Sequence, residues 1–85
     1  MREDAAERTS KYLSTTSQAL RNLRTRKLPT SVSQAHLDRV LELVHGYTKD
    51  AKHYLESNRP VTSLACIAYA EGLLDALTFL DIVDI

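Results

Sequence analysis

The two prolines of the chain, Pro29 and Pro60, separate three segments that each repeat apolar residues at helical spacing. Proline lacks the N–H that a helix interior needs, and it disfavours helical geometry in the residue before it. With only two glycines in 85 residues, there is little material for further turns. The pattern predicts an all-α fold of three long helices, over residues 3–27, 32–57 and 60–80.

The connections between these segments indicate the topology. Ser31 or Ser33 suits the N-cap of the second helix, and Asn58 suits the left-handed conformation that ends it. Pro60 fits the first turn of the third helix, where its missing N–H is no loss. Because so short a connection makes helix neighbours antiparallel, we expect a single domain, residues 1–85, folded as a three-helix up-and-down antiparallel bundle.

The third helix is the most apolar, and its apolar residues form two stripes about 100° apart. A helix with two apolar stripes is expected to contact two neighbours, which favours a bundle over a hairpin. The first stripe comprises Val61, Ala65, Ala68, Gly72, Ala76, Phe79 and Val83, and the second comprises Cys66, Ala70, Leu73, Leu77 and Leu80.

Four further apolar residues lie beyond these stripes or in the C-terminal tail. Ile67 and Leu74 fall outside the predicted arc, and Ile82 and Ile85 make the tail apolar for a terminus. We interpret the four as a candidate interaction surface for a second copy of the chain or for another protein.

Charges balance over the whole chain but not along it. Eleven basic and eleven acidic side chains give a net charge of zero, which provides no overall attraction to nucleic acid or to an anionic membrane. Residues 1–29 carry seven basic and three acidic groups, whereas residues 59–85 carry one basic and four acidic groups. A basic helix lying beside an acidic one explains this distribution.

The end of the first helix carries a basic cluster formed by Arg21, Arg24, Arg26 and Lys27. Cations at a helix C-terminus complement the helix dipole, which accounts for the cluster without a ligand. The alternative is an anion contact with phosphate or RNA, although no aromatic residue lies among these side chains to stack on a base.

Two carboxylates, Glu71 and Asp75, lie one turn apart on the polar side of the third helix. A solvated or arginine-paired face explains them. A division into acid and base roles requires a cleft that makes their environments differ. Asp75 is the better candidate, because it lies nearer the stripe of small residues.

Other chemical motifs are weak. Glu42 with His45 and Asp50 with His53 have the i, i+3 spacing of di-iron bundles, but both pairs lie on one helix and no facing helix supplies the other ligands. The sequence has neither a glycine-rich phosphate loop nor a paired cysteine motif. We therefore expect no metal, no other cofactor and no catalytic residues.

The expected location is the cytoplasm. Cys66 is the one cysteine, so it cannot form an internal disulfide and suits a reducing compartment. No apolar signal segment follows the first residues, and Glu71 and Asp75 interrupt the best candidate for a membrane span.

Residues 54–77 resemble the signature of a small archaeal family catalogued as domain of unknown function 357. The stretch that carries most of the resemblance is Ala-Tyr-Ala-Glu-Gly-Leu-Leu-Asp-Ala-Leu, residues 68–77. The first two helices match in pattern and length. The resemblance implies a compact helical bundle in an archaeal cytoplasm, alone or joined to nucleotidyltransferase-like domains, with an accessory role. No activity is established for the family, so the resemblance assigns no functional residue.

Together these features predict a small helical protein-interaction or assembly module without enzymatic activity of its own. The first alternative is an RNA- or nucleotide-associated accessory domain that uses the basic cluster. The second is an enzyme that uses Glu71 and Asp75.

Overall fold

A computed structural model describes residues 4–85 and shows three helices that pack against one another, with two short strands. The predicted all-α three-helix bundle is confirmed. In chain order the elements are α1 (Ala5–Asn22), β1 (Arg24–Thr25), α2 (Gln34–Glu56), α3 (Pro60–Phe79) and β2 (Val83–Asp84).

α1 begins behind an acidic N-cap and ends earlier than the sequence predicts. The Asp4 carboxylate accepts hydrogen bonds from the N–H groups of Ala6 (3.0 Å) and Glu7 (3.2 Å), which lack intrahelical partners. The predicted start at Glu3 lies outside the described residues. At the other end the backbone is extended at Leu23, so the predicted last turn of this helix does not form.

The chain after α1 pairs instead with the C-terminal tail. β1 and β2 form an antiparallel ladder in the register Arg24 to Asp84 and Thr25 to Val83. The N–H of Arg26 continues the ladder by donating to the carbonyl of Ile82 (2.9 Å). The tail is thus part of the fold, and the burial of Ile82 corrects the prediction that this residue contacts another chain.

Both ends of α2 follow the sequence prediction. Ser33 caps α2 by accepting a hydrogen bond from an N–H of the first turn (3.1 Å). Asn58 is left-handed with φ of 60°, and the N–H of Arg59 then donates to the carbonyl of Tyr54 (2.8 Å). Pro60 is the first residue of α3. This tight turn makes α2 and α3 antiparallel neighbours.

α1 and α3 run in the same direction, with α2 antiparallel to both. The starts of α1 and α3 meet where the Thr9 hydroxyl lies 3.5 Å from the carbonyl of Pro60. The opposite ends of the two helices are joined through β1 and β2. α3 contacts α1 and α2 more extensively than those two contact each other, so it is the central helix of the bundle.

The core forms two clusters along α3. The first contains Val44, Ala51, Ile67, Ala70 and Leu74. The second contains Leu37, Leu77, Ile82 and Val83. Since burying a large aliphatic side chain stabilises a fold by about 1.5–3 kcal/mol, the tail residues of the second cluster contribute directly to stability.

Small polar side chains are buried between the helices. The Ser63 hydroxyl donates to the carbonyl of Ala51 and so links α3 to α2. The Thr9 hydroxyl donates to the carbonyl of Ala5 (2.7 Å). Within residues 4–85, every buried side-chain nitrogen or oxygen has a hydrogen-bond partner, which avoids the cost of an unsatisfied polar group.

Candidate interaction surface

α3 is apolar around most of its circumference, but its neighbours cover only one side. The buried side is formed by Ser63, Ile67, Ala70, Leu74 and Leu77. The opposite side, termed the outer face, is formed by the exposed residues Val61, Ala65, Ala68, Gly72, Ala76 and Phe79. A helix that is hydrophobic all round is normally buried all round, so the outer face lacks the cover that its composition indicates.

Large hydrophobic side chains lie at both ends of the outer face. Val61 is 73% exposed near the start of α3, and Phe79 is 81% exposed at its end. Tyr69 and Leu80 flank the face and are also exposed. Together with Ile85, these four account for the exposed large hydrophobic side chains of residues 4–85. The exposed apolar surface is therefore concentrated on α3.

The middle of the outer face consists of small residues, and Gly72 is central to it. Glycine inside a helix costs about 1 kcal/mol relative to alanine. A Cβ at Gly72 would meet no atom within 4 Å, and its φ is not positive, so the fold of the single chain does not require glycine there. Glycine does allow another backbone to approach closely.

The interaction surface predicted from the sequence is wrong for three of its four residues. Ile67 is 0% exposed, Leu74 3% and Ile82 5%, whereas Ile85 is exposed. The first predicted core stripe of α3 is itself the outer face, apart from the buried Val83. Helical spacing defines stripes without saying which one meets the neighbours. Burying the larger Ile67 and Leu74 removes more apolar area from water than burying alanines and a glycine.

The second predicted stripe does reach the core. Ala70 and Leu77 are buried, Cys66 and Leu73 are half-buried, and Leu80 is exposed. The prediction that α3 contacts two neighbours is therefore right, although one of the two stripes assigned to that contact faces solvent.

The basic cluster is partly neutralised by the acidic tail. Arg26 donates through Nε to Asp84 Oδ2 (2.9 Å), and its Nη1 lies 3.5 Å from Asp81 Oδ1. Arg24 lies opposite Asp84 in the ladder. Arg21 and the remaining member, the lysine at position 27, are exposed. The arrangement favours a structural role for Arg26 in holding the tail.

We expect Arg26→Gln to lower the free energy of unfolding by less than about 1 kcal/mol, because both ion pairs are solvent-exposed and therefore weak. Urea unfolding at low and high salt measures this loss, which should shrink at high salt as the charges are screened. Lys27→Gln, which removes one charge from an exposed side chain of the same cluster outside the helices, is the control and should change stability by no more than about 0.5 kcal/mol. A loss above 2 kcal/mol, persisting in salt, would contradict this assignment.

The two carboxylates on α3 do not line either of two grooves on the surface. Glu71 is half-buried, and Asp75 is exposed at the margin of the outer face. Two open grooves, of about 390 Å³ and 330 Å³, are lined by residues of α1 and α2 and include neither carboxylate. This geometry offers no observation that separates an acid role from a base role.

The Cys66 thiol and the candidate metal ligands also show no arrangement that favours catalysis or metal binding. Burial raises the pKa of the Cys66 thiol, and the nearby Asp50 carboxylate raises that pKa further, so the thiol stays protonated at neutral pH and is a poor nucleophile. Over residues 4–85, no three or more His, Cys, Asp or Glu side chains come together as a metal site. Glu42 Oε1 lies 3.6 Å from Nη1 of Arg39, so Glu42 forms an ion pair with a residue one turn away on α2.

By length and composition alone, α3 could cross a membrane, since an 18-residue window of this 20-residue helix has a mean hydropathy of 1.3. Glu71 and Asp75, which were expected to interrupt such a span, do not lower the hydropathy of α3 below that of a candidate span. The central helix of a bundle has the same profile, and here one side of α3 packs on α1 and α2. A single such helix is weak evidence for a span.

Comparison with known proteins identifies a family but no characterised relative. The family model described as "Protein of unknown function (DUF357)" matches residues 11–83, a stretch that includes all of α2 and α3 and most of α1. No curated protein matches the chain, and no solved structure matches it.

Proposed function

The chain belongs to the DUF357 family of proteins of unknown function, and we propose that it acts as a non-enzymatic helical assembly module that associates with a second copy of itself. The contact is made through the outer face of α3. Because the family description names no activity, the proposal rests on the surface of this chain. The observation that carries it is the exposed apolar side of a helix whose other side is core.

The outer face has the composition of an interface centre. None of its six residues is charged, and its bulky members are a valine and a phenylalanine. Interface centres are depleted in charged residues and enriched in aromatic ones. Monomeric soluble proteins rarely expose large contiguous apolar patches. We also propose a cytoplasmic location, where the lone Cys66 stays reduced.

Neither alternative function gains a supporting observation of this kind. An RNA-associated role through the basic cluster would use Arg26, whose guanidinium is engaged by Asp81 and Asp84. An enzyme built on Glu71 and Asp75 would need a substrate cleft beside them. Assembly is therefore the role that the surface supports best.

We expect Ala68→Glu to abolish self-association while leaving the fold intact. Ala68 is exposed in the single chain, so the substitution destabilises only the dimer, in whose interface it would bury an unpaired carboxylate. The dissociation constant should rise at least about a hundredfold. Light scattering after size exclusion, over a range of protein concentrations, measures the change, and circular dichroism checks the helix content.

Ala35→Glu is the matched control, because Ala35 is exposed on the first turn of α2 and undergoes the same substitution. It should leave the association unchanged. A wild-type chain that remains monomeric at high micromolar concentration contradicts the proposal. Equal losses in the two variants would contradict it as well, since the interface would then not be the outer face.

A further inference from the structure

We infer that the two copies pack α3 against α3 in antiparallel orientation, with a two-fold axis that crosses the outer face at the level of residue 70 along the helix. In this register Val61 lies opposite Phe79 of the second copy, and Ala68 lies opposite Gly72 of the second copy. The inference rests on the proposed self-association and adds the arrangement of the partner.

The order of sizes along the outer face is nearly the same in both directions. It runs from the bulky Val61 through small residues to the bulky Phe79, a distance of about 27 Å at 1.5 Å per residue. Antiparallel packing sets a bulky residue against a bulky residue at each end and small residues together at the centre. The helix backbones can then approach most closely at Gly72, which explains a glycine that the single chain does not need.

The charges along α3 favour the antiparallel over the parallel arrangement. The basic Arg59 precedes α3, whereas Asp75 and Asp81 lie near its end. Parallel packing would place each of these charges beside the same residue of the second copy, so that like charges would repel. Antiparallel packing separates the two copies of Asp75 by about 15 Å along the axis, beyond the screening length of about 8 Å at physiological salt. It also places the basic start of one helix near the acidic end of the other.

A two-fold arrangement closes the assembly at two copies. Both copies use the same patch, so no outer face is left to recruit a third chain. The exposed flanking residues, Tyr69 and Leu80, then lie at the rim of the contact.

A lipid surface is a poorer occupant of the outer face than a second copy. Helices that lie on membranes carry Lys or Arg beside the apolar side. α3 contains neither residue, and its charged side chains are Glu71 and Asp75. An anionic bilayer would repel these carboxylates.

The test of the register is cross-linking between single cysteines in a Cys66→Ser background, which removes the one native thiol. Val61→Cys and Phe79→Cys proteins are mixed and treated with a bis-maleimide of about 8–10 Å, the spacing of packed helices. We expect the mixture to form a 61–79 cross-linked dimer, and either protein alone to give little product. Ala35→Cys, mixed with each, is the background control.

A second measurement separates close packing from general stickiness. Gly72→Leu adds apolar area at the centre of the outer face, and Gly46→Leu adds the same area on α2, where a Cβ also meets nothing within 4 Å. Close helix packing predicts that Gly72→Leu weakens dimerisation by at least about tenfold, because overpacking forces the helices apart. Gly46→Leu should leave the dissociation constant within about twofold, as a surface change away from the contact.

The outcomes separate the inference from the proposed function. Cross-linking of each single-cysteine protein with itself, without a gain in the mixture, would overturn the antiparallel register while leaving assembly through α3 intact. A dimer that no outer-face cysteine cross-links would overturn both. If Gly72→Leu strengthens dimerisation, the close-packed contact is wrong and the association is non-specific. If Gly72→Leu strengthens flotation with phosphatidylserine vesicles, the outer face binds lipid instead.

Discussion

Replacing Ile67 by alanine should lower the free energy of unfolding by about 2–5 kcal/mol, the range for a large-to-small change in a packed core. Ile67 is 0% exposed and belongs to the cluster that joins α3 to α2. The whole stability of an 85-residue domain is on the order of 4–13 kcal/mol. This one substitution should therefore remove a large part of it.

Urea unfolding measures the effect, at a protein concentration low enough that association does not contribute. Val61→Ala is the control, because Val61 lies on the same helix but is 73% exposed, and it should change stability by no more than about 0.5 kcal/mol. Equal effects of the two substitutions would contradict the assignment of the Ile67 side of α3 to the core.

We expect Val83→Asp to lower the melting temperature by more than about 10 °C. Val83 is 1% exposed in the second core cluster, so the substitution buries a carboxylate without a partner, at a cost of several kcal/mol. For a domain of this size each kcal/mol corresponds to about 4–8 °C. The substitution also disturbs the β1–β2 ladder, in which Val83 pairs with Thr25.

Ile85→Asp is the matched control two residues away, where the side chain is 52% exposed. Its melting temperature should stay within about 3 °C of the wild type, since surface substitutions have small effects. Differential scanning calorimetry measures both variants. If Val83→Asp melts like Ile85→Asp, the tail does not complete the core.

The number, order and type of the helices were readable from the residues because the signals are local. Pro29 and Pro60 interrupt the helical spacing, Ser33 and Asn58 supply a cap and a turn, and each acts within a few positions of itself. The family resemblance of residues 54–77 is also a property of the chain alone, and the family match over residues 11–83 confirms it.

The end of α1 and the place of the tail required the tertiary structure. No glycine or proline lies between Leu23 and Pro29, yet the backbone is extended at Leu23 and Arg24 pairs with Asp84. This pairing joins segments from opposite ends of the chain. Its energy comes from the ladder and from burying Ile82 and Val83, and none of these contacts is visible within a local window.

The candidate interaction surface was also decided only by tertiary packing. A helical wheel shows that α3 has apolar residues on several sides, which is why two neighbours were expected. It cannot show how much of the circumference α1 and α2 cover. The bundle buries the side with Ile67 and Leu74, where each side chain removes more area from water, and leaves Val61 and Phe79 exposed at the ends of a strip of small residues.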